Sequence, residues 1–193
     1  MDQIKTTFSF QEDTILAAGH DPVVLSGKVN ADQGELAAGT LLAKSDTDMV
    51  IHEEKTETLG TGDGTAVTFT GTVANHPIHP GSLSCTDGTE TFSDDGHGTL
   101  TGSAGGSGTV NYKTGAISLT FAAAPAAGAN IDATCHNLLA GVLEKTVDTA
   151  TDTSCNYVVH GSVRQDRLKK GAAAAEPAVT DLERLLEAGI YPL

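Results

Sequence analysis

The residues with the best claim to chemistry lie in the middle of this 193-residue chain. His76 and His79 stand near Asp94, Asp95 and His97, and imidazoles with carboxylates are the ligand types of a divalent metal ion. The two histidines sit in His76-Pro77-Ile78-His79-Pro80-Gly81, and a proline-interrupted loop offers no regular face on which both rings converge. They read as histidines decorating an exposed turn, with no metal. Asp94-Asp95-Gly96 and Asp46-Thr47-Asp48 resemble fragments of Ca²⁺ loops but lack the full ligand series and its closing Glu. Solvated turn carboxylates account for them. Gly102-x-x-Gly105-Gly106-x-Gly108 is followed by neither Lys-Ser/Thr nor a helix, so it reads as a hairpin loop and not a phosphate cradle. There is no Gly-x-Ser-x-Gly elbow. Cys85, Cys135 and Cys155 form no CxxC pair and have no neighbour that marks a nucleophile; they are expected to be small buried hydrophobes in a reducing compartment. The expectation is therefore a protein that is not an enzyme, with no catalytic residues, no cofactor and no metal.

The elements around these residues must be built from small side chains. Aromatic residues make up 4% of the chain, Trp is absent, and there are 22 glycines without a collagen period. This composition points to a loop-rich β fold with a core of Val, Ile, Leu and Ala. With 25 acidic against 11 basic residues, the net charge is −14. Such a surface repels nucleic acid and anionic lipid, so neither is expected as a partner. No run approaches the length of a membrane span, and Met1-Asp2-Gln3-Ile4-Lys5 lacks a signal-peptide layout, which points to synthesis in a cytoplasm. Arg164, Arg167, Lys169 and Lys170 form the one basic cluster, read as a solvated loop before Ala172–Ala175.

Organisation follows from composition. Residues 57–137 hold 14 of the glycines and only one basic residue, Lys113, against seven acids. Within them, short alternating runs are separated by turns. Thr65–Val73 puts Val67, Phe69 and Val73 on one face, and Ser82–Thr86 leads through Asp87-Gly88 into Thr89–Phe92. Thr109–Tyr112 pairs with Ala116–Phe121 across Lys113-Thr114-Gly115, and Asn130–Cys135 closes the series. Six or so such strands describe an antiparallel sandwich or barrel. The flanks carry strand-like Pro22–Val29, Leu41–Lys44, Leu138–Val147 and Tyr157–Val163. Thr180-Asp181-Leu182-Glu183 has capping-box spacing, and Leu182, Leu185, Leu186 and Ile190 then follow helical spacing up to Gly189. The fold class expected is mainly β: a small β-rich base (residues 15–56 and 138–193) with a short C-terminal helix, plus an inserted antiparallel β-sandwich (57–137). Ahead of the base, residues 1–14 form an arm whose Thr6-Thr7-Phe8-Ser9-Phe10 alternates and could add to a sheet edge elsewhere.

The flanks resemble a known family. Leu36–Lys44 (LAAGTLLAK) is similar to the strand-turn-strand of the lambda-type phage head decoration proteins. Gly141-Val142-Leu143-Glu144 followed by Val147-Asp148-Thr149 resembles that family's next segment. Val158–Val163 (VVHGSV) resembles its following strand, and Leu185–Leu193, with Ala188-Gly189-Ile190-Tyr191-Pro192, its C-terminal ending. The four pieces occur in the family's order and cover most of the base, about half of the chain. Residues 57–137 have no counterpart in the short members and look like a Gly/Thr-rich module of phage structural proteins, entered through Leu59–Gly64 and containing Asn111–Ala116.

The resemblance implies a virion protein, assembled in the bacterial cytoplasm and carried on the outer surface of the phage head. There it would sit as a homotrimer at threefold positions of the expanded capsid and cement the major capsid protein against packaged DNA. It also implies that the arm makes the coat contact, with Ile4, Phe8 and Phe10 as its apolar residues. Two other functions remain open on the residues alone. One is a surface module recognising a host glycan through the inserted domain, although only Tyr112 there offers a Tyr or Trp. The other is a hydrolase resting on His76, His79, Asp94 and Asp95, which would hold stoichiometric metal.

Overall fold

The computed structural model describes residues 14–193. The chain is mainly β, as its composition and patterning lead one to expect. Strands β1 (Val23–Lys28), β2 (Glu35–Leu36), β3 (Leu41–Lys44) and β4 (Met49–Ile51) come first. They are followed by β5 (Glu54–Thr61), β6 (Thr68–Thr72), β7 (Ser84–Thr86), β8 (Thr91–Asp94), β9 (Thr99–Gly102), β10 (Ser107–Asn111), β11 (Ala116–Thr120) and β12 (Asn130–His136). Then come β13 (Leu139–Leu143), β14 (Val147–Asp148), β15 (Ser154–Val163), helix α1 (Val179–Glu187) and β16 (Ile190–Pro192).

Two sheets organise these elements. The first runs β1-β15-β13-β3-β4, with β16 parallel to the end of β15. Its strands do not alternate cleanly because both of its faces are covered. Leu41, Val142, Val158 and Val163 join Leu185 of α1 and Ile190 in one apolar cluster. Their neighbours Leu42, Leu143 and Tyr157 join Val29, Leu36 and Met49 in another. The β2–β14 ribbon supplies Leu36 and Val147 to that second layer.

The second sheet is antiparallel and eight-stranded, in the order β5-β12-β7-β8-β9-β10-β11-β6. Its two end strands approach each other: a Cβ on Gly71 of β6 would lie 3.0 Å from Leu59 of β5. The rolled sheet encloses Phe92, Leu100, Leu119, Phe121 and Ile131, with Phe121 edge-on to both Phe92 and Phe69. The hairpin across residues 113–115 pairs Asn111 with Ala116, as the turn chemistry predicts. Two details differ from the sequence expectation. The sheet has eight strands, because β5 and the short β9 join it, and Val67 is exposed where alternation put it with Phe69 and Val73.

Helix α1 begins two residues earlier than the capping-box spacing suggests. Its N-cap is Ala178, and Asp181, at N3, accepts the Ala178 N–H at 2.9 Å. Only the backward half of a capping box is present, since Ala178 has no side-chain acceptor. Leu185 is fully buried whereas Leu186 points outward, because the apolar stripe is narrower than four leucine and isoleucine positions. Gly189, φ +79°, ends the helix in the left-handed region.

Gly39 fixes how the 164–170 segment crosses the first sheet. Its φ is +90°, its N–H donates to the Leu143 carbonyl and its own carbonyl accepts from Lys169. An added Cβ would collide with the Arg167 carbonyl. Gly39→Ala is expected to cost about 2–3 kcal/mol, read as a lower urea midpoint at unchanged slope. An unchanged midpoint would show that the segment yields freely.

Candidate functional site

Where the two sheets meet, no apolar cluster spans them: one cluster draws only on residues 59–135, and the others only on flanking residues. The joint is polar instead. His52, fully buried between β4 and β5, has its Nδ1 2.9 Å from Asn137 Oδ1, and Asn137 donates in turn to the Ile51 carbonyl. The His52 ring stacks on His136, the last residue of β12, at 5.5 Å between centroids. On the far side lies Asp181 of α1, also fully buried, 3.6 Å from His52 Nε2. Lys170 spans both Asp181 oxygens at 2.9 and 3.0 Å, and Arg184 reaches Oδ1 at 3.0 Å. His136 Nε2 faces Glu54 at 3.4 Å and His79 Nε2 faces Glu187 of α1 at 3.6 Å, both acids being largely exposed. Buried nitrogens are left without partners here: Nε2 of His52 and Nδ1 of His76, His79 and His136.

Charge follows from this packing. Burial pushes His136 down to about 4, helped by the Arg184 and Lys170 cations and by His52, with Asp181 opposing. Burial and Arg184 likewise lower His79, against Glu187. For Asp181, burial works to raise the carboxyl, and His52, Lys170 and the Ala178 amide outweigh it, holding it well below the usual carboxylate range.

His52, His136 and Asp181 bring one donor atom each within 4.8 Å of one another, the only such trio among the described residues. The set fits a metal poorly. Both Asp181 oxygens are already committed, and an incoming dication would sit beside two fixed cations with one carboxylate among them. The sequence reading missed His52 and His136, which carry no motif. It quoted Asp181 only for its place in the capping pattern.

The residues singled out from sequence do not converge. His76 and His79 are partly buried and turned toward the joint, not displayed on an exposed turn as expected, because Ile78 between them is buried and bridges to Asn137. Asp94 instead accepts the Gly81 and Gly96 amides and the Tyr112 hydroxyl, and Asp95 accepts those of His97 and Thr99. Asp46 and Asp48 lie in the β3–β4 turn, closed by Ser45 onto the Asp48 carbonyl. The 102–108 glycine run is the β9–β10 hairpin and cradles a carboxylate of this chain: buried Glu90 accepts the Ala104, Gly106 and Ala122 amides. The three cysteines are free and buried. Burial pushes Cys85 up to about 12 and Cys135 to about 11, so neither supplies a thiolate at neutral pH. The basic cluster is divided: Lys170 serves Asp181, while Arg164 and Arg167 lie on Asp166. Tyr112 is tied to Asp94 and to the Gly98 amide. Ile4, Phe8 and Phe10 lie outside the described residues.

A second surface feature belongs to the first sheet. β1 is an edge strand, and Val23 and Leu25 on it are nearly half exposed. Beside Val23 the His20 ring packs on His160 at 4.6 Å and on Tyr191 at 5.5 Å, with exposed Leu193 next to Gly19. An edge strand with outward apolar residues is a surface suited to a protein partner.

Fold and site together define a mainly β protein of two sheets on a polar joint, with an apolar edge on the first sheet. Compared with family models, curated proteins and solved structures, the chain matches none. Among the described residues no helix is long and apolar enough to cross a membrane.

Proposed function

We propose that the chain is a non-enzymatic phage capsid decoration protein, bound as a homotrimer to the outside of the expanded head at threefold positions. In this reading it stabilises the major capsid protein against packaged DNA, and residues 57–137 are an insertion projecting from its base. One observation carries the reading. The four stretches that resemble the lambda-type decoration family are far apart in sequence yet form one contiguous unit. Leu36–Lys44 holds the last residue of β2 and all of β3, Gly141–Thr149 overlaps β13 and contains β14, Val158–Val163 is the end of β15, and Leu185–Leu193 carries the end of α1 and β16. These are mutual neighbours: β3 on β13, β13 on β15, β15 on β16, and β14 on β2. The acidic charge suits a protein kept off the genome. Weak contacts repeated over a shell add through multivalency, and binding only the assembled shell stabilises it by mass action.

The arm is the proposed coat contact. Leu16 bridges to Val163, which places the start of the described residues at the side of the first sheet. The test is co-sedimentation with expanded capsids lacking decoration, comparing the full chain with a variant lacking residues 1–14. Saturable binding that falls at least tenfold on deletion is expected. Binding that survives deletion would move the contact to the β1 edge, and no binding by the full chain would overturn the decoration reading.

A further inference from the structure

The joint between the sheets is polar and lined by the partly or fully buried imidazoles of His52, His79 and His136. No apolar cluster crosses it, and helix α1 faces it through Asp181 toward His52 of the β4–β5 link and Glu187 toward His79 of the β6–β7 connection. We propose that this joint is an acid-released latch: proton uptake on His136 and His79 loosens the eight-stranded sheet from α1 and the six-stranded sheet, while each sheet keeps its own core.

The charged surroundings set the direction. His136 faces Glu54 of β5, stacks on His52 of the β4–β5 link, lies within 4.8 Å of Asp181 of α1, and is within the electrostatic reach of Lys170 and of Arg184 of α1. His79 meets Glu187 and Arg184 of α1 and His52. Glu54 and Glu187 could welcome a proton, but both are mostly in water, where their attraction is screened. Lys170 and Arg184 are largely buried and fixed on Asp181. A cationic imidazole would therefore lie beside two cations in a desolvated gap. Opening lets the ring rehydrate and return toward its ordinary value near 6.5.

The sign follows from linkage. A histidine lowered in the closed form contributes its full closing free energy above about 6.5, and loses it as pH falls from there toward about 4. Each pH unit in that window is worth up to tenfold in the closed-to-open ratio. His136 alone thus accounts for up to roughly 300-fold, and His79 adds in the same direction.

The measurement is an NMR titration of the full chain from pH 7.5 to 4.5, following the histidine ring protons and the backbone amides together. Amides of α1 and of residues 52–54 and 136–138 should shift with the same midpoint as the His136 ring. Amides at Phe92 and Val142, inside the two cores, should stay unchanged. His136→Gln should flatten the transition, whereas H97Q, at an exposed turn histidine, should leave it intact. The wild-type titration is decisive even if the first variant fails to fold. The latch is overturned if His136 and His79 titrate near 6.5 without movement at the joint, if the joint is unchanged down to pH 4.5, or if both cores melt together with it.

Discussion

Replacing Asp181 by alanine is expected to destabilise the protein by about 3–5 kcal/mol, the usual cost of removing one partner of a buried ion pair. Asp181 is fully buried and satisfies Lys170, Arg184 and the Ala178 amide at once. Its loss leaves the largely buried Lys170 and Arg184 cations beside each other without their shared carboxylate. Asp181→Asn should cost less, because the amide oxygen can still accept from Arg184 or Lys170. Adding Lys170→Met to Asp181→Ala should restore part of the loss, since one orphaned charge goes with it. Urea unfolding of the three variants measures this, and a loss below about 1 kcal/mol for Asp181→Ala would mean that the pairing contributes little. The acid behaviour has its own window. A carboxyl lowered in the folded state supports folding above its ordinary value near 3.8, and that support fades only as pH falls through its depressed folded value. It is still present over much of the range in which the joint histidines take up protons.

The second large effect is expected at Glu90. This carboxylate is 3% exposed and accepts three backbone amides, from Ala104 and Gly106 on one oxygen and Ala122 on the other. Glu90→Ala would leave the buried Gly106 amide and the partly buried Ala104 and Ala122 amides without this acceptor, at about 1–3 kcal/mol for each that water does not reach. A total near 3 kcal/mol, or roughly a 10 °C fall in Tm, is expected for a chain of this size. Glu90→Gln keeps one acceptor but turns an NH₂ toward a backbone donor, so an intermediate loss should follow. Calorimetry on both variants checks the order, and a Glu90→Ala protein melting within 2 °C of wild type would sink the account. The glycines belong to the same device: a Cβ at Gly106 would stand 2.7 Å from Glu90 Oε1 and 2.9 Å from Phe92 Cζ.

What the residues determine by themselves is local. Few rings, many glycines and short alternating runs require a β protein. Lys113-Thr114-Gly115 sets the hairpin register, Asp87-Gly88 sets a turn closed by Asp87 Oδ1 on the Thr89 and Glu90 amides, and Gly189 ends the helix. Each depends on residues within a few positions of one another, which is the range over which spacing carries information. Alternation is silent where both faces are covered, so Leu41-Leu42-Ala43 shows a buried strand without showing which layer each residue joins.

The joint was legible in no local pattern. His52, His136 and Asp181 come from a strand link, a strand end and the first turn of a helix, separated by dozens of residues. Their chemistry arises only when the strand pairing of β5 with β12 and the docking of α1 remove water from around them. The same holds for Glu90 and for the partly buried His76 and His79, whose environments are built by distant backbone. Spacing decides which turns and strands can form. Burial and the identity of distant neighbours decide which of the polar residues carry charge, and only the tertiary structure supplies those.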